Sequence, residues 1–204
     1  MADFTDTQIG EALKALGNYR VRRAQVVALE GEPDGISGSL LLSLGLRETR
    51  LRNIEGGAKL VDGRWVAEDD PARMDVGIFQ ISRRYHMADL RRMVAVASGT
   101  WKPTVDLRTA ADGGFCPRFE ESIRYVLSEM HEAIAYGEDR GVKGSELPRF
   151  AVAAHNAGIG GAIEGYRQGD MDARTTGGDY SGWTLRHRTK INSWLGAHAN
   201  WRAG

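Results

Sequence analysis

"SLLLSLGLRETRLRN", residues 39–53, is the stretch that decides the fold. On a helical wheel of about 100° per residue, the leucines at positions 40, 41, 44 and 51 fall within an arc of about 100°. The turn-forming segment GEPDGISG (31–38) precedes the stretch, and Ser37 or Ser39 can cap the helix start. The pattern therefore predicts a central helix buried in the core.

Glu48 lies on the same apolar arc as these leucines. Burial of a lone carboxylate disfavours its charged form, so we expect the Glu48 pKa to be raised toward the range in which it can donate a proton near neutral pH. The alternative is a surface role, in which Glu48 pairs with Arg47 or Arg52, or reaches solvent at the helix end. The helical wheel alone leaves both roles open.

Further helices are expected on both sides of this segment. Thr5 or Asp6 can cap a helix that ends at Gly17, and Asp62-Gly63 predicts a β-hairpin turn. The clearest helix, 117–141, carries an apolar stripe of Phe119, Ile123, Val126, Met130 and Ile134. The remaining predicted helices cover about 21–29, 87–99, 146–158, 161–169 and 181–201, with an irregular connection at 101–117.

These elements predict one mainly α domain of the α+β kind over residues 1–204, a helical bundle around a central buried helix with a small hairpin. Residues 1–35 are read as an N-terminal helical extension, and residues 36–204 as the core of the domain. A length of 204 residues and 42% hydrophobic content are enough for a substantial core.

Charge and composition restrict the partners. Lys plus Arg equals Asp plus Glu at 27 each, which gives no overall attraction to nucleic acid or to an anionic membrane. The single cysteine, Cys116, excludes an internal disulfide framework, and no metal-ligand spacing occurs. We therefore expect no cofactor, no metal, no nucleic acid and a monomer. With no signal peptide and no apolar run long enough for a bilayer, we expect cytoplasmic synthesis without stable membrane insertion.

A second carboxylate follows in "MDVGIFQIS", residues 74–82, where Asp75 stands just before a glycine and an apolar run carrying Gln80. Glycosidic cleavage uses a pair of carboxyl groups, one protonated for the leaving oxygen and one ionised toward the sugar. Asp75 is a candidate for the ionised partner of Glu48. The alternative for Asp75 is a strand-end or cap residue.

Four motifs taken in order resemble the lysozyme superfamily, especially goose-type lysozymes and soluble lytic transglycosylases. They are Glu48-Thr49, then Gly77-Ile78-Phe79-Gln80, then His155-Asn156-Ala157-Gly158, and Asp179-Tyr180. The resemblance implies cleavage of the β-1,4 bond between N-acetylmuramic acid and N-acetylglucosamine in peptidoglycan. The missing leader then suggests a phage endolysin or a virion-borne enzyme that acts on the bacterial cell wall.

The families that this chain resembles differ in which residue supplies the second carboxylate. "DVGIFQIS" is similar to a chicken-type lysozyme segment, and by that match Asp75 takes the place of the second catalytic carboxylate. Goose-type enzymes draw on other positions, where this chain offers Asp62, Asp69 and Asp70. Lytic transglycosylases use the glutamate alone and form 1,6-anhydromuramic acid. A non-catalytic peptidoglycan-binding or phage structural protein is a further alternative.

The resemblance also places substrate-binding residues. His155 stands where the family usually has a tyrosine that reaches toward the glutamate, and an imidazole there would titrate near neutral pH. Tyr180 offers a flat ring with a polar tip. The proposed binding residues are Gln80, Tyr85, His86, His155, Asn156, Gly158 and Tyr180. Trp65, Trp101 and Trp183 are either sugar-stacking or buried aromatics, and the basic stretch Arg186, His187, Arg188 and Lys190 is read as a solvated helix face.

Overall fold

The computed structural model describes residues 2–16, 35–52, 55–56, 58–62, 64–70, 73–86, 88 and 119–198. The chain divides into two compact units: the first is Met1–Arg47 with Ile123–Gly204, and the second is Glu48–Ser122. Cys116, Trp101, the predicted helix at about 21–29 and the connection at 101–117 lie outside the described residues, as does nearly all of 87–99. A single domain over 1–204 stays a prediction.

The described chain is mainly helical. Within the described ranges, the α-helices of more than ten residues are α1 Asp6–Leu16, α2 Gly38–Thr49, α3 Phe119–Asp139, α4 Leu147–Arg167 and α5 Tyr180–Ala197. A short 3₁₀ turn, Gly144–Glu146, leads into α4. The predicted mainly α class is therefore confirmed. No helix in the described ranges is long and apolar enough to cross a membrane.

The first two helices begin as their capping residues predict. Thr5 and Gln8 form a capping box, because the Gln8 amide donates to Thr5 Oγ1 at 3.3 Å and the Thr5 amide donates to Gln8 Oε1 at 2.9 Å. At α2, the Leu40 amide donates to Ser37 Oγ at 3.2 Å. Side-chain oxygens thus satisfy amides that the first helical turn leaves without partners.

Helix α2 is buried on every side over residues 38–46. The predicted burial of this helix is therefore confirmed, but the burial does not follow a stripe. An all-round apolar helix is the kind found inside a core. Because every face of the helix is buried, lying on the same arc as the leucines does not distinguish Glu48 from the other residues of α2. Glu48 itself is half-buried, in the last turn of the helix.

Helix α3 presents the predicted apolar stripe. Ile123, Val126, Met130 and Ile134 are all buried, at the three- and four-residue spacing of one helix face. The helix runs over Phe119–Asp139, two residues inside each predicted boundary. The side chain of Phe119 lies outside the described part.

Helices α1 and α5 pack together within the first unit. Ile9, Leu13 and Leu16 of α1 are buried, and a Cβ added at Gly10 would lie 2.7 Å from Trp194 Nε1. Only glycine allows an approach this close. Helix α1 therefore belongs to the same unit as α5, and the division into an extension at 1–35 and a core at 36–204 stays a prediction.

The second unit contains short antiparallel strands. Strands β2 Ala58–Val61 and β3 Arg64–Ala67 pair with Val61 opposite Arg64. Asp62 has φ 50° in the two-residue connection, as an Asp-Gly hairpin turn requires, so the predicted hairpin is confirmed. A separate three-stranded sheet, not predicted, has the order β1-β4-β5, with β1 Glu55–Gly56, β4 Asp75–Val76 and β5 Ile81–Ser82.

Candidate functional site

The end of α2 is built around Glu48 and Thr49. Thr49 is buried, and its Oγ1 donates a hydrogen bond to the Ile78 carbonyl oxygen at 3.0 Å. The helix stops after Thr49 because Arg50 and Leu51 both adopt left-handed backbone angles, with φ 56° and 61°. Such conformations cost energy in residues other than glycine and often occur at functional sites.

Residues Gly77 to Gln80 form the turn between β4 and β5. Gly77 has φ 82° and Gln80 has φ 50°, so the turn has a left-handed residue at each end. The Gln80 side chain bonds back into the turn, with Nε2 donating to the Gly77 carbonyl oxygen at 3.0 Å. Ile78 and Phe79 between them are buried. The turn therefore fixes the direction of the Gln80 amide, which is half-buried.

Asp75 lies on β4, the middle strand of the sheet. It is opposite Gly56 of β1 and Ser82 of β5, and its side chain is half-buried. Asp62, Asp69 and Asp70 are exposed, and Asp70 pairs with Arg73 at 3.5 Å. Among the four aspartates singled out from the sequence, Asp75 alone combines partial burial with a place in a strand that leads directly into a motif turn.

Tyr85 and His86 follow β5. Tyr85 is 71% exposed, and its ring meets the partly exposed His86 ring edge-on at 6.5 Å. The Arg84 guanidinium lies 5.2 Å from the centre of the Tyr85 ring. An exposed tyrosine with an amphipathic ring is a suitable surface for a sugar.

His155, Asn156 and Gly158 lie at a break within α4. Gly158 has φ 72° and ψ 159°, which interrupts the helix, whereas Gly160 and Gly161 are helical. The expected turn between two helices is thus made by Gly158. His155 Nδ1 is 3.7 Å from Glu129 Oε2 of α3, and Asn156 Oδ1 accepts a hydrogen bond from the Thr176 amide at 2.7 Å.

Tyr180 begins α5 and is only 2% exposed. The Arg47 guanidinium carbon lies 4.5 Å from the centre of its ring, within the range of a cation–π contact. The Tyr180 ring is therefore packed in the interior of the first unit. Trp183 is fully buried, so of the two roles considered for it, sugar stacking and core packing, the structure supports core packing. The side chain of Trp65 is not among those described.

Sequence reasoning missed Asp172, which is 2% exposed and accepts five hydrogen bonds. Burial raises its pKa, but hydrogen bonds from the Ser181 amide and hydroxyl, from Arg149 and from the Gly182 amide outweigh burial and hold the pKa at about 2. The carboxylate lies at the first turn of α5, where a negative charge is favoured. Its oxygens are occupied by protein donors, so its role is structural. No local spacing in the sequence signals this.

His187 corrects the expected solvated basic face, because it is completely buried. Its Nε2 accepts the Phe4 amide at 2.9 Å, so Nδ1 carries the proton and donates to the Trp183 carbonyl oxygen at 2.9 Å. Burial lowers the His187 pKa, and the Trp183 bond and the nearby Asp3 carboxylate partly offset this. Arg186 and Lys190 both pair with Asp3. This stretch therefore anchors the N-terminal residues.

Two hydrogen bonds connect motif residues to distant segments, each inside one unit. In the second unit, Thr49 bonds to Ile78, so the Glu-Thr motif contacts the Gly-Ile-Phe-Gln turn. In the first unit, Asn156 bonds to Thr176, so the His-Asn-Ala-Gly motif contacts the loop leading to Asp179-Tyr180. The first bond joins two motifs directly, whereas the second joins a motif to a residue three positions before Asp179.

Among the residues that the structure describes, no group of three or more His, Cys, Asp or Glu side chains is arranged to hold a metal ion. Comparison with protein-family models, with curated proteins and with solved structures gives no match. The resemblance to lysozymes therefore rests on the sequence motifs of this chain.

Proposed function

We propose that this protein cleaves the β-1,4 bond between N-acetylmuramic acid and N-acetylglucosamine in peptidoglycan, with Glu48 as proton donor. The observation that carries the proposal is the hydrogen bond from Thr49 Oγ1 to the Ile78 carbonyl at 3.0 Å. It joins the residue after the candidate acid to the turn that orients the Gln80 amide. Two motifs separated by 29 positions thereby contribute to one place in the second unit.

The proposed reaction is hydrolysis. Glu48 gives its proton to the glycosidic oxygen, the bond from that oxygen to the muramic acid C1 breaks, and positive charge develops on the sugar. The Asp75 carboxylate stabilises that charge or attacks C1. Water then supplies hydroxide to C1, and its remaining proton returns to Glu48. Gln80 supplies amide groups of the kind that bind an N-acetyl or hydroxyl group.

Glu48→Gln tests the proton donor. The amide keeps the size of the side chain but cannot donate the proton, so we expect release of soluble fragments from purified peptidoglycan to fall by about 10²-fold or more. Glu132→Gln, an exposed position on α3, is the matched control and should retain wild-type activity. Unchanged cleavage by Glu48→Gln would remove Glu48 from the mechanism.

Mass spectrometry of the fragments separates hydrolysis from its nearest alternative. Hydrolysis adds one water to each product pair, whereas a transglycosylase that uses Glu48 alone leaves 1,6-anhydromuramic acid and adds none. Asp75→Asn should lower cleavage strongly if Asp75 is the second carboxylate. If Asp62→Asn, Asp69→Asn or Asp70→Asn lowers it instead, that aspartate takes the role. Wild-type protein that binds glycan strands without cutting them would make this a binding or structural protein.

Action on the bacterial wall after cytoplasmic synthesis, as in a phage endolysin or a virion-borne enzyme, belongs to the same proposal. Its support is the substrate that the motifs imply. We expect added protein to clear a suspension of bacteria whose peptidoglycan is accessible, and the Glu48→Gln variant to leave the suspension turbid.

A further inference from the structure

Arg47, the residue directly before Glu48, makes three contacts inside the first unit. Its Nη2 donates to the Thr176 carbonyl oxygen at 3.3 Å. Its guanidinium carbon lies 4.5 Å from the centre of the Tyr180 ring and 5.2 Å from that of Trp183. Both aromatic side chains are buried. The planar guanidinium is thus held by two aromatic rings and one carbonyl group.

The Thr176 peptide group is bound from both sides. Its amide donates to Asn156 Oδ1 at 2.7 Å, and its carbonyl accepts from Arg47. Asn156 in turn lies in the last turn of α4 before the break at Gly158. Arg47, the turn before the break in α4 and the loop before α5 are therefore connected through the Thr176 peptide group.

An arginine at position 47 carries a free-energy cost for the folded state. Arg47 Nη1 is buried and has no hydrogen-bond partner in the described part of the chain. Leaving a buried donor unpaired costs about 1–3 kcal/mol. An unbranched apolar side chain such as methionine would fill the space over the rings without that cost. The contacts with the two rings and with the Thr176 carbonyl offset part of that cost.

We propose that Arg47 is a positioning residue for Glu48. Helix α2 ends at Thr49, so a contact at Arg47 fixes the helical turn from which Glu48 projects. An acid must lie within hydrogen-bond reach of the glycosidic oxygen, and small displacements of a catalytic group reduce the rate strongly. Arg47 acts through the placement of Glu48 and not by contact with the sugar. This role depends on the proposed glycosidase activity.

Arg47→Met is the direct test, with initial rates measured over a range of purified peptidoglycan concentrations. We expect kcat to fall roughly tenfold or more because the acid is misplaced, with KM unchanged because no sugar contact is lost. The midpoint of thermal unfolding should stay equal or rise. Arg47→Lys keeps a cation over Tyr180 but lacks the planar fork, so it should recover part of kcat. Arg124→Met, exposed on α3, is the control.

The outcomes separate the two proposals. If Glu48→Gln abolishes cleavage and Arg47→Met leaves kcat unchanged, the positioning role is overturned and the proposed function stands. If kcat falls only together with the unfolding midpoint, or Arg47→Lys is no better than Arg47→Met, Arg47 is structural and the positioning role fails. A wild-type protein that releases no fragments overturns the proposed function, and the positioning role with it.

Discussion

The buried carboxylate of Asp172 holds together the segment before α5. It accepts hydrogen bonds from Ser181, Gly182, Thr175 and Arg149 at 2.7 to 3.2 Å. Replacing it with asparagine keeps the volume but removes the charge and turns one acceptor into a donor that faces other donors. We expect Asp172→Asn to lower the free energy of unfolding by about 3 kcal/mol.

Urea unfolding at neutral pH measures that loss. Asp139→Asn makes the same chemical change at an exposed site at the end of α3, and should alter the free energy by less than about 0.5 kcal/mol. Equal effects from the two variants would contradict the structural role of Asp172.

Single residues also show where sequence reasoning reaches its limit. Thr5 and Ser37 were recognised as caps because their partners lie three residues away. Asp172 and His187 were not recognised as buried, because what buries them comes from elsewhere in the chain: Phe4, for example, is 183 positions from His187. Contacts between residues far apart in sequence produce no periodic pattern, so a buried polar side chain cannot be distinguished from an exposed one in the sequence.

At the scale of an element, two of the four glycines of α4 differ in backbone conformation. Gly158 has φ 72° and Gly160 is helical, yet a Cβ at either would meet no atom within 4 Å. Gly158→Ala should therefore destabilise the protein by about 1–3 kcal/mol through backbone strain alone. Gly160→Ala should stabilise it by about 0.5–1 kcal/mol, because alanine loses less entropy in a helix. Urea unfolding of both variants tests this, and a stabilising Gly158→Ala would show that the break is not needed.

The N-terminal segment on α5 gives an element-scale prediction in which pH matters. Protonation of His187 would place an N–H against the Phe4 amide, which now donates to Nε2. Its pKa is lowered by burial, so the contact should weaken as pH falls from 6.5 toward that lower value. Amide-exchange protection of Phe4, measured by NMR, should decline over that range.

Two variants check the assignment to His187. His187→Gln offers an oxygen acceptor that does not titrate, so the decline of Phe4 protection should disappear. Asp3 favours the charged imidazole, whereas Lys190 and Arg186 oppose it. Asp3→Asn should therefore move the decline to lower pH. A decline that persists in His187→Gln would assign it to another group.

The elements themselves were largely predictable. The Asp62-Gly63 turn and the stripe of α3 were read correctly because turn chemistry and helical spacing are local. The sheet β1-β4-β5 was missed because each strand has only two residues, too few for an alternating pattern. Asp75, on the middle strand of that sheet, was therefore singled out by its carboxylate and the segment around it and not by its secondary structure.

For the whole molecule, the buried side chains of His187 and Asp172 predict how the free energy of unfolding depends on pH. Both pKa values are lowered in the folded protein, so the folded state binds fewer protons than the unfolded chain as pH falls. For His187, the full contribution is present above pH 6.5 and is lost through its lower folded value. For Asp172, it is present above pH 3.8 and is lost as pH falls toward 2. The free energy of unfolding should thus decline in two separate steps.

The size of the acid step follows from the Asp172 pKa. A shift from 3.8 to about 2 corresponds to about 2 kcal/mol. Urea titrations of the wild type at a series of pH values should show both steps, with His187→Gln lacking the upper one. Asp172→Asn should show a smaller lower step, because ion pairs also lower the pKa values of Asp3, Glu164 and Asp179. Each variant should retain the step that belongs to the other residue, since the two groups titrate in different pH ranges. One continuous decline that neither variant alters would mean that other carboxylates govern acid unfolding.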